Sequence, residues 1–434
     1  RIIKIVCKFA QRCASMTEVE MKREQRMRLW AAALSVCMAA GMAQPAMAGV
    51  VKKSAAQTSG SAANNTAEAA TAQTDFYFAG QEMYTYQRLE ADMQLLKSKY
   101  EGVTTDSIGK TVDGRNIYRI VIGNPNAEKK VLVLAAIHAR EYITTPLVMR
   151  QVREMLDRKA SGETALNDVC IQFVPMANPD GVQISQRALD GLNNANSKQT
   201  VQRVIESWAD WGLLENKDKY NWYLNKWKNN VNGVDLNHNF PTKGWAQLND
   251  NRGKASSEFY KGPSAASEPE TQAIIKLVNE QKFSEVINYH AQGQIIYWSQ
   301  MHASKEVQAK DKAMAVIAAR RTGYALVDPA ADGSRYGAGF KDWLDWEKGI
   351  PNITLEVGLG VSPVPENQIE KIWQQNQGLL PELVNALLGR SGESISNGTS
   401  TAAAGNTAQD SGVHYVSPKG SGDANESLTP PGAE

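Results

Sequence analysis

Cysteine is scarce in this 434-residue chain: there are four, and Cys7, Cys13 and Cys37 all lie within the first 48 residues. Without that stretch only Cys170 remains, which excludes an internal disulfide framework. A core must then hold the protein together, and Cys170, opening the apolar run Cys170–Pro175, reads as a buried inert thiol. A strong charge of one sign is also missing. The formal net charge is +1, from 47 basic and 46 acidic residues. That balance argues against nucleic-acid binding by counterion release and against steering to acidic lipid. Histidine is rare as well, with five residues at positions 138, 238, 290, 302 and 414.

What is present at the start has the layout of an export signal. Lys22, Arg23, Arg26 and Arg28 precede the apolar run Leu29–Ala43, and Ala46-Met47-Ala48 forms a small-x-small cleavage pattern before Gly49. The run is shorter than the roughly 20 residues a spanning helix needs, so an uncleaved anchor is the weaker reading. A lipoprotein centred on Cys37 is weaker still, because Val36 is bulky for the position before a lipobox cysteine. The chain opens on Arg, which makes Met21 and Met27 candidate starts. Residues 1–48 are therefore expected to be a leader, and the mature protein to be periplasmic or secreted, with no stable membrane span. Their eight basic residues face three acidic ones, leaving a mildly acidic remainder of 39 to 43. Residues 49–77, rich in Ala, Ser, Thr, Asn and Gln, read as a flexible linker, and 391–434 as a disordered low-complexity tail. Between them, 78–390 shows no internal repeat and suits one α/β domain.

Short β-branched apolar runs alternate there with helical patterns, which predicts a largely parallel or mixed sheet. Val131–Ile137 and Ile171–Ala177 are predicted strands, as are Val286–His290 and Asn352–Val357. Thr145 is expected to cap a helix with Pro146 in its first turn, and Ser267-Glu268-Pro269-Glu270 to form a capping box. Asn178-Pro179-Asp180-Gly181 predicts a turn, and Ile369–Leu388 closing helices broken near Gly378 and Pro381. The polar, Trp-rich stretch 182–232 has no secure assignment.

Three of these strands run into residues with chemistry. His138 and Glu141 form an H-x-x-E pair just after the first, His290 ends the third, and Glu356 lies near the end of the fourth. Sites in open α/β sheets gather at such carboxyl ends. Alternation puts Thr354 and Glu356 on one face and Ile353, Leu355 and Val357 on the other, and a glutamate there is costly without a partner or a task. Two histidines and a carboxylate make the ligand set of a catalytic zinc, with the fourth position left for water. A second carboxylate must then move the water's proton. His138, Glu141 and His290 fill the first role and Glu356 the second, so one zinc ion per chain is expected. Each residue alone would pass for a satisfied core histidine or a solvated loop glutamate.

With these residues in place the chain resembles the zinc carboxypeptidase family. The shared order is His138-Ala139-Arg140-Glu141, Asn178–Gly181, Gly233-Val234-Asp235-Leu236-Asn237, His290, Tyr336 and Thr354-Leu355-Glu356-Val357. The resemblance covers about 80–390 and implies a mixed, mostly parallel eight-stranded sheet flanked by helices. Within the family the chain looks most like bacterial γ-D-glutamyl-diamino acid peptidases of the cell wall. That likeness rests on His290-Ala291-Gln292-Gly293 with Ile296-Tyr297-Trp298, Gly339-Phe340-Lys341-Asp342-Trp343, and Glu356-Val357-Gly358. It implies that Asn237 contacts the substrate's carboxylate and that Tyr336 closes over it. Arg140 would line the outer site, and Lys228 would stand where an arginine stabilises the oxyanion. The plainer readings are a turn residue, a packed aromatic and two surface charges.

One departure bears on substrate. Family members that trim C termini carry Asn-Arg where this chain has Asn237-His238. Arginine grips a carboxylate with a planar charged fork, and a mostly neutral histidine does not reproduce it. His238 as a fourth zinc ligand would occupy the water's place. The expected substrate is therefore a peptidoglycan stem peptide cut at γ-D-glutamyl-diaminopimelate. The rivals are a general metallocarboxypeptidase, a small-molecule amide hydrolase and a catalytically inactive wall-binding protein.

Overall fold

The computed structural model describes residues 83–208, 217–248, 252–328, 337–390 and 413–416, all within one compact unit, Thr71–Glu434. The expected leader, the linker 49–77 and Tyr336 lie outside the described residues. Helix α1 (Tyr86–Lys99) leads into the hairpin β1 (Thr104–Lys110) and β2 (Asn116–Gly123). Strand β3 (Lys129–Ala135) follows, then helix α2 (Thr144–Ala160), strand β4 (Val169–Val174) and helix α3 (Pro179–Arg187). The unassigned stretch continues with α4 (Ala195–Glu206) and α5 (Lys217–Asn225). Helix α6 (Pro269–Gln281), β5 (Glu285–His290), β6 (Ile295–Tyr297), α7 (Lys305–Thr322), β7 (Ala325–Val327) and β8 (Asn352–Glu356) come next. Helices α8 (Ile369–Asn376) and α9 (Leu379–Leu387) and strand β9 (Tyr415–Val416) complete it.

The sheet order is β1-β2-β4-β3-β5-β8-β6-β7-β9. Its centre, β4-β3-β5-β8, is parallel, and antiparallel pairs join β1 to β2, β2 to β4 and β6 to β8. The mixed, mostly parallel sheet is as expected, but nine strands are described in place of eight. The ninth comes from the stretch read as a low-complexity tail: Tyr415 and Val416 pair in parallel with Leu326 and Val327.

Period-two alternation explains the layers. Val131, Val133 and Ala135 of β3 face Leu147, Ala315 and Leu380 of α2, α7 and α9. Leu132 and Leu134 face the other way, toward Ile274 and Leu277 of α6 with Phe240 and Phe340. A sheet covered on both sides requires near-continuous apolar strands, and β3 has them. A third cluster, including Ile184, Val201, Tyr223, Leu224 and Trp227, packs the α3–α5 region into a platform beside the strand ends.

Three local expectations are corrected. Thr145 is inside α2, not its cap, because a 3-10 turn at Ala139–Glu141 leads into the helix. The Thr145 hydroxyl instead donates to the carbonyl of Pro175 at 2.7 Å. Asn178–Gly181 does not turn but starts α3: Pro179 takes the first helical position, and the Asn178 side chain accepts from the Gly181 N–H at 3.1 Å. The capping box at 267–270 does not form. Glu268 is the cap of α6, and Ser267 is engaged by Asn239 while Glu270 bonds Asn230. Among the described residues no helix is long and apolar enough to cross a membrane.

Candidate metal centre

Strand ends place the central residues. After β3, Ala136 turns the chain with a positive φ of 51°, and its N–H donates to the Thr144 hydroxyl at 3.0 Å. The turn delivers His138, and the 3-10 turn brings Glu141 back beneath it. His290 ends β5 and stands in parallel register with Glu356 at the end of β8. All four are buried.

His138, Glu141 and His290 each offer a ligand atom, and these atoms lie within 4.8 Å of one another. Nδ1 of His138 is 2.8 Å from Oε1 of Glu141, and Nδ1 of His290 is 2.9 Å from Oε2. The two Nδ1 atoms face each other at 3.1 Å. Lone pairs so close repel unless a proton or a cation lies between them. The donor set fits zinc: two imidazoles and one carboxylate, buried and converging. Burial alone would raise the Glu141 carboxyl, but His138 and His290 hold it well below the usual carboxylate range.

Nε2 of His138 is 3.2 Å from Oδ1 of the fully buried Asp235. As donor to that oxygen it leaves Nδ1 as the lone-pair nitrogen, the arrangement that orients a metal-binding imidazole. Within Gly233–Asn237 nothing local marks Asp235 for this role; its position between two potential cations is a tertiary fact. Its other oxygen meets Lys228 Nζ at 3.2 Å and lies 3.9 Å from His238 Nδ1. Burial would raise Asp235, yet Lys228, His238 and His138 pull it well below the usual carboxylate range.

The other expected site residues divide. Lys228 is buried close to the centre, its Nζ 4.4 Å from the centroid of the Phe259 ring. His238 stays out of the metal cluster and stacks on Phe259, so the geometry gives no support to a fourth ligand. Asn237 accepts the Phe340 N–H at 2.9 Å through its side-chain oxygen. Arg140 is not a solvated surface charge: it is buried and pairs with Glu258 at 3.1 Å. Cys170 is buried, as expected.

Two residues tie the loops together. Asn178 Nδ2 donates to the carbonyls of Ile137 and Asn229, both at 3.2 Å. The backbone before His138 and the backbone after Lys228 are thus fastened to one side chain. A Cβ on Gly181 would stand 2.6 Å from the Asn229 carbonyl, so only glycine permits that approach.

Comparison with known proteins agrees with this geometry. A zinc carboxypeptidase family model matches residues 89–378. The gamma-D-glutamyl-L-diamino acid endopeptidase 1 of Lysinibacillus sphaericus is 29% identical over 310 residues, covering 69% of this chain and 72% of that protein. Carboxypeptidase B of Rattus norvegicus is 23% identical over 326 residues, covering 69% and 70%. The crystal structure of carboxypeptidase A from Helicoverpa armigera shares the fold, with a TM-score of 0.57 and 18% identity over 74% of this chain and 78% of that one. The chain belongs to the zinc carboxypeptidase family and is a zinc-dependent metallopeptidase.

Proposed function

We propose that this enzyme hydrolyses an amide bond in peptidoglycan stem peptides, at γ-D-glutamyl-diaminopimelate, outside the cytoplasm. The observation that carries the chemistry is the register of His290 and Glu356 on adjacent parallel strands. It brings a second buried carboxylate to the strand end next to His290, outside the group of three whose donor atoms converge. Bound by His138, Glu141 and His290, zinc supplies Lewis acidity toward water and the scissile carbonyl. Glu356 takes the proton of the attacking water and returns it to the leaving amine. Lys228, held by Asp235, provides positive charge for the oxyanion. Asn237, His238, Arg140 and Tyr336 are assigned to the substrate.

Two observations support the stem-peptide reading over trimming of ordinary C termini. One relative bears the name of a γ-D-glutamyl-L-diamino acid endopeptidase. And His238 stands where a carboxylate-gripping arginine is expected, leaning on Phe259 with its ring centre 6.1 Å away. The signal-like leader agrees with a substrate outside the cytoplasm.

The test is to incubate purified protein with a γ-D-glutamyl-diaminopimelate peptide and with a blocked L-dipeptide, with and without chelator, and to weigh the products. Faster cleavage of the γ-linked peptide, abolished by the chelator, is expected. The opposite preference overturns the substrate assignment and favours a general metallocarboxypeptidase.

A further inference from the structure

The strap Ser256–Tyr260 touches Lys228, Arg140, Arg252 and His238, and its fourth residue has an unusual backbone. Phe259 lies in the left-handed region with φ of 61°, which a bulky side chain avoids unless its surroundings hold it there. Those surroundings are specific. The preceding Glu258 binds Arg140 at 3.1 Å and Arg252 at 2.8 Å. The following Tyr260 carbonyl accepts the Asp235 N–H at 2.7 Å, and the Ser257 carbonyl accepts the Lys228 N–H at 2.9 Å. The strained residue thus sits between an anchor for two arginines and an anchor for the aspartate behind His138.

The Phe259 ring gathers three of these bases. Lys228 Nζ lies 4.4 Å from its centroid and the Arg252 guanidinium 5.8 Å, while His238 stacks at 6.1 Å with planes 28° apart. A ring face attracts cations within about 6 Å and fixes where a long side chain ends. Only part of the ring is buried. Around the strap, Lys228, Arg140 and Arg252 outnumber the carboxylates of Glu258 and Asp235. The neighbourhood suits an anionic substrate.

We infer that Phe259 is a positioning residue that makes the site selective for a γ-linked glutamyl group: its ring keeps Lys228 at the oxyanion and holds Arg252, which shares Glu258 with Arg140, where a free α-carboxylate on the acyl side of the scissile amide meets it. This deepens the stem-peptide reading and rests on it. The chemistry distinguishes the two linkages. An α-linked peptide consumes the α-carboxyl in the amide that is cut, whereas a γ-linked glutamyl residue keeps it as an anion. An array of bases set by one aromatic face rewards that anion and gives nothing to its amide.

The experiment compares two γ-linked peptides, one with the glutamyl α-carboxylate free and one with it amidated. Phe259→Leu and Phe259→Met remove the ring face at near-constant volume, and Phe259→Tyr keeps it. Zinc content near one per chain checks that each variant is folded. The ratio of kcat/KM for the free over the amidated peptide should fall about tenfold in the Leu and Met variants, mainly through KM. The Tyr variant should restore it. A constant ratio in the Leu and Met variants, or an equal loss in the Tyr variant, overturns the inference while leaving the stem-peptide reading intact. A wild-type enzyme that cleaves neither γ-linked peptide overturns both, and that result appears before any variant is compared.

Discussion

His138 binds on one side to Glu141 and on the other to Asp235, so its ring cannot rotate without breaking one of two short contacts. A carboxylate behind a metal-binding imidazole sets its tautomer and strengthens its lone pair. Replacing Asp235 by Asn keeps the shape and removes the charge. Zinc affinity, measured by competition with a chelator, should weaken about 10- to 100-fold. Glu356 is expected to behave in the opposite way. It is beside the ligand cluster but outside it, so Glu356→Gln should abolish turnover while bound zinc stays near one per chain. Loss of metal in that variant would mean that the carboxylate is a ligand and that its assigned role is wrong.

Between elements, the decisive contacts are those that aim the loops. Strands β3, β5 and β8 are parallel neighbours, so the residues leaving their carboxyl ends emerge side by side. The start of α3 then locks the outgoing chains, with Asn178 bonded to Ile137 and Asn229. Gly181 lets the helix come that close, and a Cβ there would press on Asn229 at 2.6 Å and on Asn178 itself. Gly181→Ala is therefore expected to displace the loop bearing Lys228. Because small misplacements of catalytic groups are costly, kcat/KM should fall about 10- to 100-fold, with zinc retained. Full activity in this variant would show that the loop tolerates the shift.

For the molecule as a whole, a buried polar network joins the β1–β2 loop to α3 and α6. Arg115 pairs with Asp113 at 2.7 Å and with Asp180 at 2.8 Å, while Asn230 bonds Glu268 at 2.6 Å and Glu270 at 3.1 Å. Burial, with the nearby Asp180 and Glu268, pushes the Glu270 carboxyl up to about 8. Between the ordinary value of 4.5 and about 8 the folded protein keeps a proton that the unfolded chain has released. Stability from this group is therefore complete below the lower value and declines as pH rises through the window. The slope is about 1 kcal/mol per pH unit. Glu270→Gln, which stays neutral, should flatten that slope in denaturant titrations between pH 5 and 8. An unchanged slope would place the proton elsewhere.

How much of this was legible beforehand depends on distance along the chain. The apolar run at 131–135, the H-x-x-E pair and the strand bearing Glu356 are local patterns, and local sterics and burial alone make them a strand, a loop pair and a strand. Ligand chemistry is likewise a property of residue type, so His138, Glu141 and His290 could be named as a zinc set from the sequence. Asp235, Asn178, Glu258 and Phe259 could not be ranked the same way. Their significance lies in partners that are remote in sequence: Asp235 is 97 residues from His138, and Arg140 is 118 from Glu258. Helix starts were misplaced for a related reason, since Thr145 and Ser267 found tertiary acceptors and donors that no capping rule anticipates. The ninth strand was missed because two residues carry no period, and only the open edge of β7 gives them something to pair with. Residue type and local pattern thus determined which residues can offer themselves to a metal. The tertiary structure alone decided how they are aimed, because orientation is set by contacts between segments that the linear order keeps apart.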